Sequence, residues 1–156
     1  MKPADIKYGH MHPGNAVSNE FLPNEYILLA EDDEDDVDLL MGFLRELPGS
    51  PEVIVISKGD KVISFIESLP ENRLPRLIIL DYNLPSVSGY EILTAIADNK
   101  KYQSVPKIIW STSNASHFEN QCLVQGATAY FVKPADLSGF QVLVQKLQSL
   151  LSLPIK

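Results

Sequence analysis

Leu77-Ile78-Ile79-Leu80-Asp81-Tyr82-Asn83-Leu84-Pro85 is the stretch whose reading decides the fold. Four consecutive branched apolar residues suit a strand covered on both faces, as the strands of parallel sheets are, and Asn83 and Pro85 mark the turn that follows. Asp81 therefore falls where a buried strand meets a loop. An aspartate in that place is equally a turn former or a helix cap. The rest of the chain supplies the reasons for a chemical role.

The same pattern recurs on both sides of this stretch. Tyr26 to Ala30, Val53 to Ile56, Lys107 to Trp110 and Ala129 to Val132 are further short apolar runs. Helical periods lie between them. Val37, Leu40, Met41, Leu44 and Leu47 form one, closed by Pro48-Gly49, and Val62, Phe65, Ile66 and Leu69 form a second that ends by Pro70. Ser88 caps a third that carries Leu93, Ile96 and Ala97. Residues 115 to 125 make the fourth and weakest, with only Phe118, Cys122 and Leu123 as its stripe. A fifth, from about Asp136, sets Phe140, Leu143, Val144, Leu147, Leu150 and Leu151 on one face. Five strands alternating with five helices predict an α/β fold, a doubly wound five-stranded parallel sheet, because right-handed crossovers leave few other arrangements.

The chain's 156 residues fit one domain. Residues 1–25, rich in Pro, Gly, Asn and His, read as a flexible N-terminal arm, with the folded domain over 26–156. His10 and His12 lack the third ligand a metal site needs. Twenty acidic residues against 13 basic ones give a net charge of -7, which argues against direct binding of nucleic acid or anionic lipid. The single cysteine, Cys122, allows no internal disulfide and suits packing in a reducing compartment. No run reaches the roughly 18 apolar residues of a membrane span, and no signal-peptide core opens the chain, so a cytoplasmic location is expected.

The polar residues at the strand ends form a constellation. The first strand runs into Glu31-Asp32-Asp33-Glu34-Asp35-Asp36, the third ends in Asp81, the fourth leads to Ser111 and the fifth to Lys133. In a parallel sheet these carboxyl ends share one rim, the place where open α/β sheets bind ligands. Glu31, Asp32 and Asp81 should converge there with a hydroxyl and an ammonium, while the remaining acids suit a helix N-terminus. Clustered carboxylates repel unless a cation lies among them, and an all-oxygen site that keeps waters suits Mg2+. A carboxylate beside Mg2+ and lysine is equipped to attack phosphorus, with Asp81 as the acceptor. The competing structural account has Lys133 merely pairing with Asp81 while the acids cap a helix.

These residues resemble a known family, the receiver domain of two-component response regulators, over about residues 26 to 152. The acid pair Glu31-Asp32, the Asp81-Tyr-Asn83-Leu-Pro85 segment with Ser88-Gly89 behind it, the Ser111 hydroxyl and Lys133-Pro134 stand in the family's order, with Ser111 30 residues after Asp81 and 22 before Lys133. Ser111 stands where Thr is commoner, and Glu31 where Asp is frequent. The resemblance implies a flavodoxin-like strand order of 2-1-3-4-5 and Asp81 as phosphoacceptor. It also implies that Asp32 and the Asn83 backbone carbonyl ligate Mg2+, with Glu31 acting largely through water. Lys133 and Ser111 would contact the phosphoryl group, Tyr130 would be a switch aromatic, and the Lys133–Pro134 peptide would be cis. The implied partners are a sensor histidine kinase or phosphotransfer protein and a downstream protein target. Helix four, strand five and helix five are the expected output face and possible homodimer surface. With the helical pattern running nearly to residue 156, a stand-alone receiver is expected.

Two other classes compete. An Mg2+-dependent phosphohydrolase would share the aspartyl nucleophile but want a second carboxylate two residues on, where Asn83 stands. A flavodoxin-like cofactor domain would want a phosphate-binding loop after the first strand, where six acids stand instead.

Overall fold

The computed structural model of the chain describes residues 22–49 and 51–152, so His10, His12 and most of the expected arm lie outside the described residues. Five strands, β1 (Tyr26–Ala30), β2 (Glu52–Ile56), β3 (Leu77–Asp81), β4 (Lys107–Ser111) and β5 (Ala129–Val132), form one parallel sheet in the order β2-β1-β3-β4-β5. Helices α1 (Glu34–Leu44), α2 (Gly59–Ser68), α3 (Gly89–Ala97), α4 (Ser116–Val124) and α5 (Leu137–Leu151) connect and follow them. Single 3-10 turns at Glu71–Arg73 and Lys100–Tyr102 precede β3 and β4.

Strand periodicity divides the core into two layers. Ile27, Leu29, Val53, Val55, Leu77, Ile79, Ile108 and Trp110 face α1 and α5, meeting Val37, Leu40, Leu44, Phe140, Leu143 and Leu147. Leu28, Ala30, Ile54, Ile56, Ile78, Leu80 and Ile109 face the other way, against Val62, Ile66, Ile92, Leu93, Ile96 and Cys122 of α2, α3 and α4. Every residue of β1, β3 and β4 is buried, which is why these strands read as unbroken apolar runs rather than as alternations. Leu22 is also buried, so the packed unit begins ahead of β1.

The helix starts follow their caps. Asp33 accepts from the Asp35 and Asp36 N–H groups, Ser88 from Glu91, and Asp136 from Gly139. Helix α4 starts at Ala115 with no side-chain cap and buries only Cys122, with Val124 88% exposed. The end of α1 differs from the expected one. The helix ends at Leu44 with Arg45 as its cap, still in helical dihedrals, and the Glu46 and Leu47 N–H groups bond three residues back, tightening the chain into a turn before Gly49 at φ 84°.

The expected cis peptide before Pro134 is corrected by the structure. No cis bond occurs among the described residues, so the Lys133–Pro134 bond is trans, the form favoured by about 0.5 to 1 kcal/mol for X-Pro. Lys133 reaches the rim without it, because β5 ends at Val132 in register with Ser111 and the Lys133 N–H bonds the Ser111 carbonyl at 2.7 Å.

Candidate phosphoryl-acceptor site

Register brings the strand ends to one rim. Asp81 closes β3 opposite Trp110, Ser111 closes β4 opposite Val132, and Glu31 follows Ala30 at the end of β1. The loop leaving Asp81 is tight. The Gly89 N–H bonds the Tyr82 carbonyl at 3.0 Å, and a Cβ on Gly89 would lie 2.3 Å from the Asp81 carbonyl oxygen, so only glycine fits behind Asp81. Ser86 in the same loop holds φ 67°, with its hydroxyl bonding Asp60 Oδ1 at 3.0 Å.

Three carboxylates meet here. Glu31, Asp32 and Asp81 each place one oxygen within 4.8 Å of the others; Glu31 (1% exposed) and Asp81 (4%) are buried, while Asp32 is exposed. Glu31 Oε1 accepts the Asp33 N–H at 2.9 Å, and Asp81 Oδ1 accepts the Asn83 N–H at 3.1 Å. The Lys133 ammonium lies 2.9 Å from Glu31 Oε2, 3.2 Å from Asp81 Oδ2 and 2.9 Å from Asp36 Oδ2, with the Trp110 ring centroid 4.9 Å away. Glu31 Oε2 is buried at ion-pair distance from Lys133 but outside hydrogen-bond geometry.

The electrostatics follow from this crowding. Burial pushes the Glu31 carboxyl up to about 8; the Asp33 N–H and Lys133 pull it down without cancelling that, and Asp81 adds to the rise. Burial also works against the Lys133 ammonium, but Glu31, Asp36 and Asp81 more than offset it, so its pKa lies above the ordinary lysine value. Three carboxylates surround one ammonium, and the surplus is negative. Both contacts of the purely structural account are present, the Lys133–Asp81 pair and the Asp33 cap. They leave over an exposed Asp32 and a Glu31 oxygen without a hydrogen bond, a donor set that fits a hard divalent cation.

Ser111 and Tyr130 sit on one side of the cluster and are joined through a residue that the sequence reading did not single out. Ser113 donates its N–H to the fully buried Ser111 hydroxyl at 3.1 Å and accepts the Tyr130 hydroxyl on its carbonyl at 2.7 Å. Tyr130, 9% exposed, is packed inward. Asn83 is exposed, touching Asp81 through its backbone N–H.

Asp36 is the other residue missed. Its signal was present as helical spacing, since Asp36 stands one turn ahead of Leu40 and two ahead of Leu44 on the stripe facing the sheet.

Residues 27–146 match the response regulator receiver domain family. The chain is similar to the response regulator Rcp1 of Synechocystis sp. (strain ATCC 27184 / PCC 6803 / Kazusa), 29% identical over 139 residues that are 85% of this chain and 92% of that protein. Its structure is similar to the Mn2+-bound form of Rcp1, with a TM-score of 0.74 and 27% identity over 86% of this chain and 99% of that one. It is also similar to the phosphorylated cyanobacterial phytochrome response regulator RcpA, with a TM-score of 0.73 and 25% identity over 81% and 93% of the two chains.

Proposed function

The chain belongs to the response regulator receiver domain family, and on that premise we propose that it is a phosphoacceptor module in which Asp81 takes a phosphoryl group from a histidine kinase or phosphotransfer protein. One observation carries the reading: Asp81 shares its rim with two further carboxylates within 4.8 Å and with a lysine ammonium at 3.2 Å. In the transfer, an Asp81 carboxylate oxygen forms a bond to phosphorus as the P–N bond of the donor's phosphohistidine breaks, and the departing imidazole keeps the electron pair. Lys133 faces the phosphoryl oxygens as charge moves onto them.

Glu31, Asp32, Asp81 and the Asn83 carbonyl would hold Mg2+, which supplies positive charge to offset both the carboxylates and the phosphoryl group. The phosphohydrolase reading is not favoured, because Asn83 offers no acid two residues after Asp81.

Output follows from what the new phosphoryl group displaces. Moving a two-state switch from 1:99 to 99:1 takes about 5.5 kcal/mol. A lysine–phosphate contact worth about 4 kcal/mol at an effective dielectric of 20 must be discounted here, because Lys133 already holds three carboxylates and gains only the difference. More of the bias then rests on Ser111. Drawing its hydroxyl to the phosphoryl group releases the Ser113 N–H, and the Tyr130–Ser113 bond shares that loop residue. Helix α4, uncapped and held by one buried side chain, is the element that yields. Of the six exposed large hydrophobic residues among those described, Leu123, Val124, Val132, Leu137 and Val142 belong to α4, β5 and α5, where a downstream protein or a second copy would dock.

Incubation with acetyl phosphate and Mg2+, followed by intact mass, tests the reading. One added phosphoryl group is expected on the wild type and none on Asp81→Asn; full labelling of that variant defeats the assignment. Beryllofluoride with Mg2+ should change amide exchange most between residues 112 and 135, and silence there alongside changes around α2 would move the output face elsewhere.

A further inference from the structure

We propose that Asp36 is a positioning residue for the transfer to Asp81, holding the Lys133 ammonium beside the acceptor from the first turn of α1. This rests on the phosphoacceptor reading and goes beyond it. Lys133 Nζ makes its hydrogen bonds to Asp36 Oδ2 at 2.9 Å and to Asp81 Oδ2 at 3.2 Å. The contact to Glu31 is equally short but lacks hydrogen-bond geometry. Asp36 is thus as close a partner as any the ammonium has.

What distinguishes Asp36 is where its charge goes when a cation is bound. Glu31 and Asp81 belong to the group of carboxylates that could share a metal ion, and Asp36 does not. A cation there draws on the two strand-end carboxylates and leaves Asp36 as the partner still committed to Lys133. An ammonium has three N–H groups. Asp36 takes one and Asp81 another, and the one facing Glu31 without a hydrogen bond is available to a phosphoryl oxygen.

The anchor is itself held. The Asp36 N–H bonds the Asp33 cap at 3.1 Å, and the next residue, Val37, is buried under the sheet. On the remaining side the Trp110 ring limits where the ammonium can move. A plain helix-end role, acid near the positive end of the dipole, would be filled as well by the exposed Asp35. Asp35 is therefore the natural control, with the same charge in the same turn and no lysine.

The test compares Asp36→Asn with Asp35→Asn. Labelling of Asp81 by acetyl phosphate at saturating Mg2+ is followed over a range of donor concentrations by intact mass. Asp36→Asn should slow labelling at high donor about tenfold, because the ammonium is no longer aimed, without raising the donor concentration that gives half the maximal rate. Asp35→Asn should stay within about twofold of wild type. A second measurement needs no labelling: urea unfolding of the metal-free wild type, Asp36→Asn, Lys133→Met and the double variant. If Asp36 acts through Lys133, the two single effects are non-additive. Equal rates for the two Asn variants, or additive unfolding effects, overturn the inference. A wild type that takes no phosphoryl group defeats the phosphoacceptor reading instead, and the unfolding cycle still decides whether Asp36 and Lys133 are coupled.

Discussion

Lys107 and Lys133 stand at opposite rims of the same sheet, and both ammonium groups are largely withdrawn from water, yet they are solvated in different ways. Lys107 opens β4 and donates to the carbonyls of Tyr102 and Val105 at 2.6 and 2.9 Å, with no ion pair among the described residues. Burial lowers its pKa. Lys133 follows β5 and faces three carboxylates, and its pKa is raised. Carbonyl dipoles close a loop around Lys107 and leave no charge to trade. The carboxylates around Lys133 exceed it in charge and can accept another cation, while the ammonium can turn to another anion. The first rim is built to stay as it is, and the second to exchange partners.

Removing each charge should separate the two most sharply. Lys133→Met is expected to slow Asp81 labelling by at least about a hundredfold, as loss of a charge-stabilising donor does, whereas Lys107→Met should label at the wild-type rate in the same mass assay. A slow Lys107→Met protein would show that the rims communicate. In metal-free urea unfolding, Lys133→Met should cost about 3 kcal/mol, since it leaves buried carboxylates uncompensated. Millimolar Mg2+ should restore much of that stability, because a cation again offsets the carboxylates. Lys107→Met should cost about 1 kcal/mol, because it leaves the Val105 carbonyl without its donor while the Tyr102 carbonyl keeps the Val105 N–H at 3.1 Å, and Mg2+ should restore none of it.

The pH dependence should have opposite signs at the two rims. Glu31 holds its proton more tightly folded than unfolded. Its contribution is therefore complete below about 4.5 and is lost as pH rises to about 8, with a slope of at most about 1.4 kcal/mol per pH unit. Glu31→Gln should flatten that limb in melts of the metal-free protein, and an unchanged slope would assign the effect to other groups. Lys107 has the reverse sign. Its depressed pKa makes the folded state release the proton first, so stability rises with pH over the window just below 10.5, and Lys107→Met should lack that rise.

The legible parts of the chain were those written in periodicity. Unbroken runs such as Leu77–Leu80 announced strands covered on both faces, and the order of acids, hydroxyl and lysine at their ends announced one rim. Asp36 escaped because a run of six acids reads as a solvated helix start, and only its spacing from Leu40 and Leu44 tells it apart from Asp35. Ser113 escaped because its part is played by backbone groups, which carry no residue signature. Lys107 read as the polar start of a strand, since its burial depends on a 3-10 turn folding back over it. The peptide before Pro134 was misjudged because family order speaks to residues, while the isomer depends on the local path of the chain.

Trp110 is the sole tryptophan in the sequence, is fully buried, and has an indole N–H with no hydrogen-bond partner. Lys133 holds its ammonium 4.9 Å from that ring. An indole's excited state shifts electron density across the ring, so its emission energy responds to a nearby charge. The protein thus contains one indole, in a setting without a hydrogen-bond acceptor for its N–H, tuned by the same ammonium that faces Asp81. Its unlabelled emission spectrum is a direct optical record of where Lys133 stands, and any event that moves the ammonium should change the colour of that light before the outer surface has changed shape.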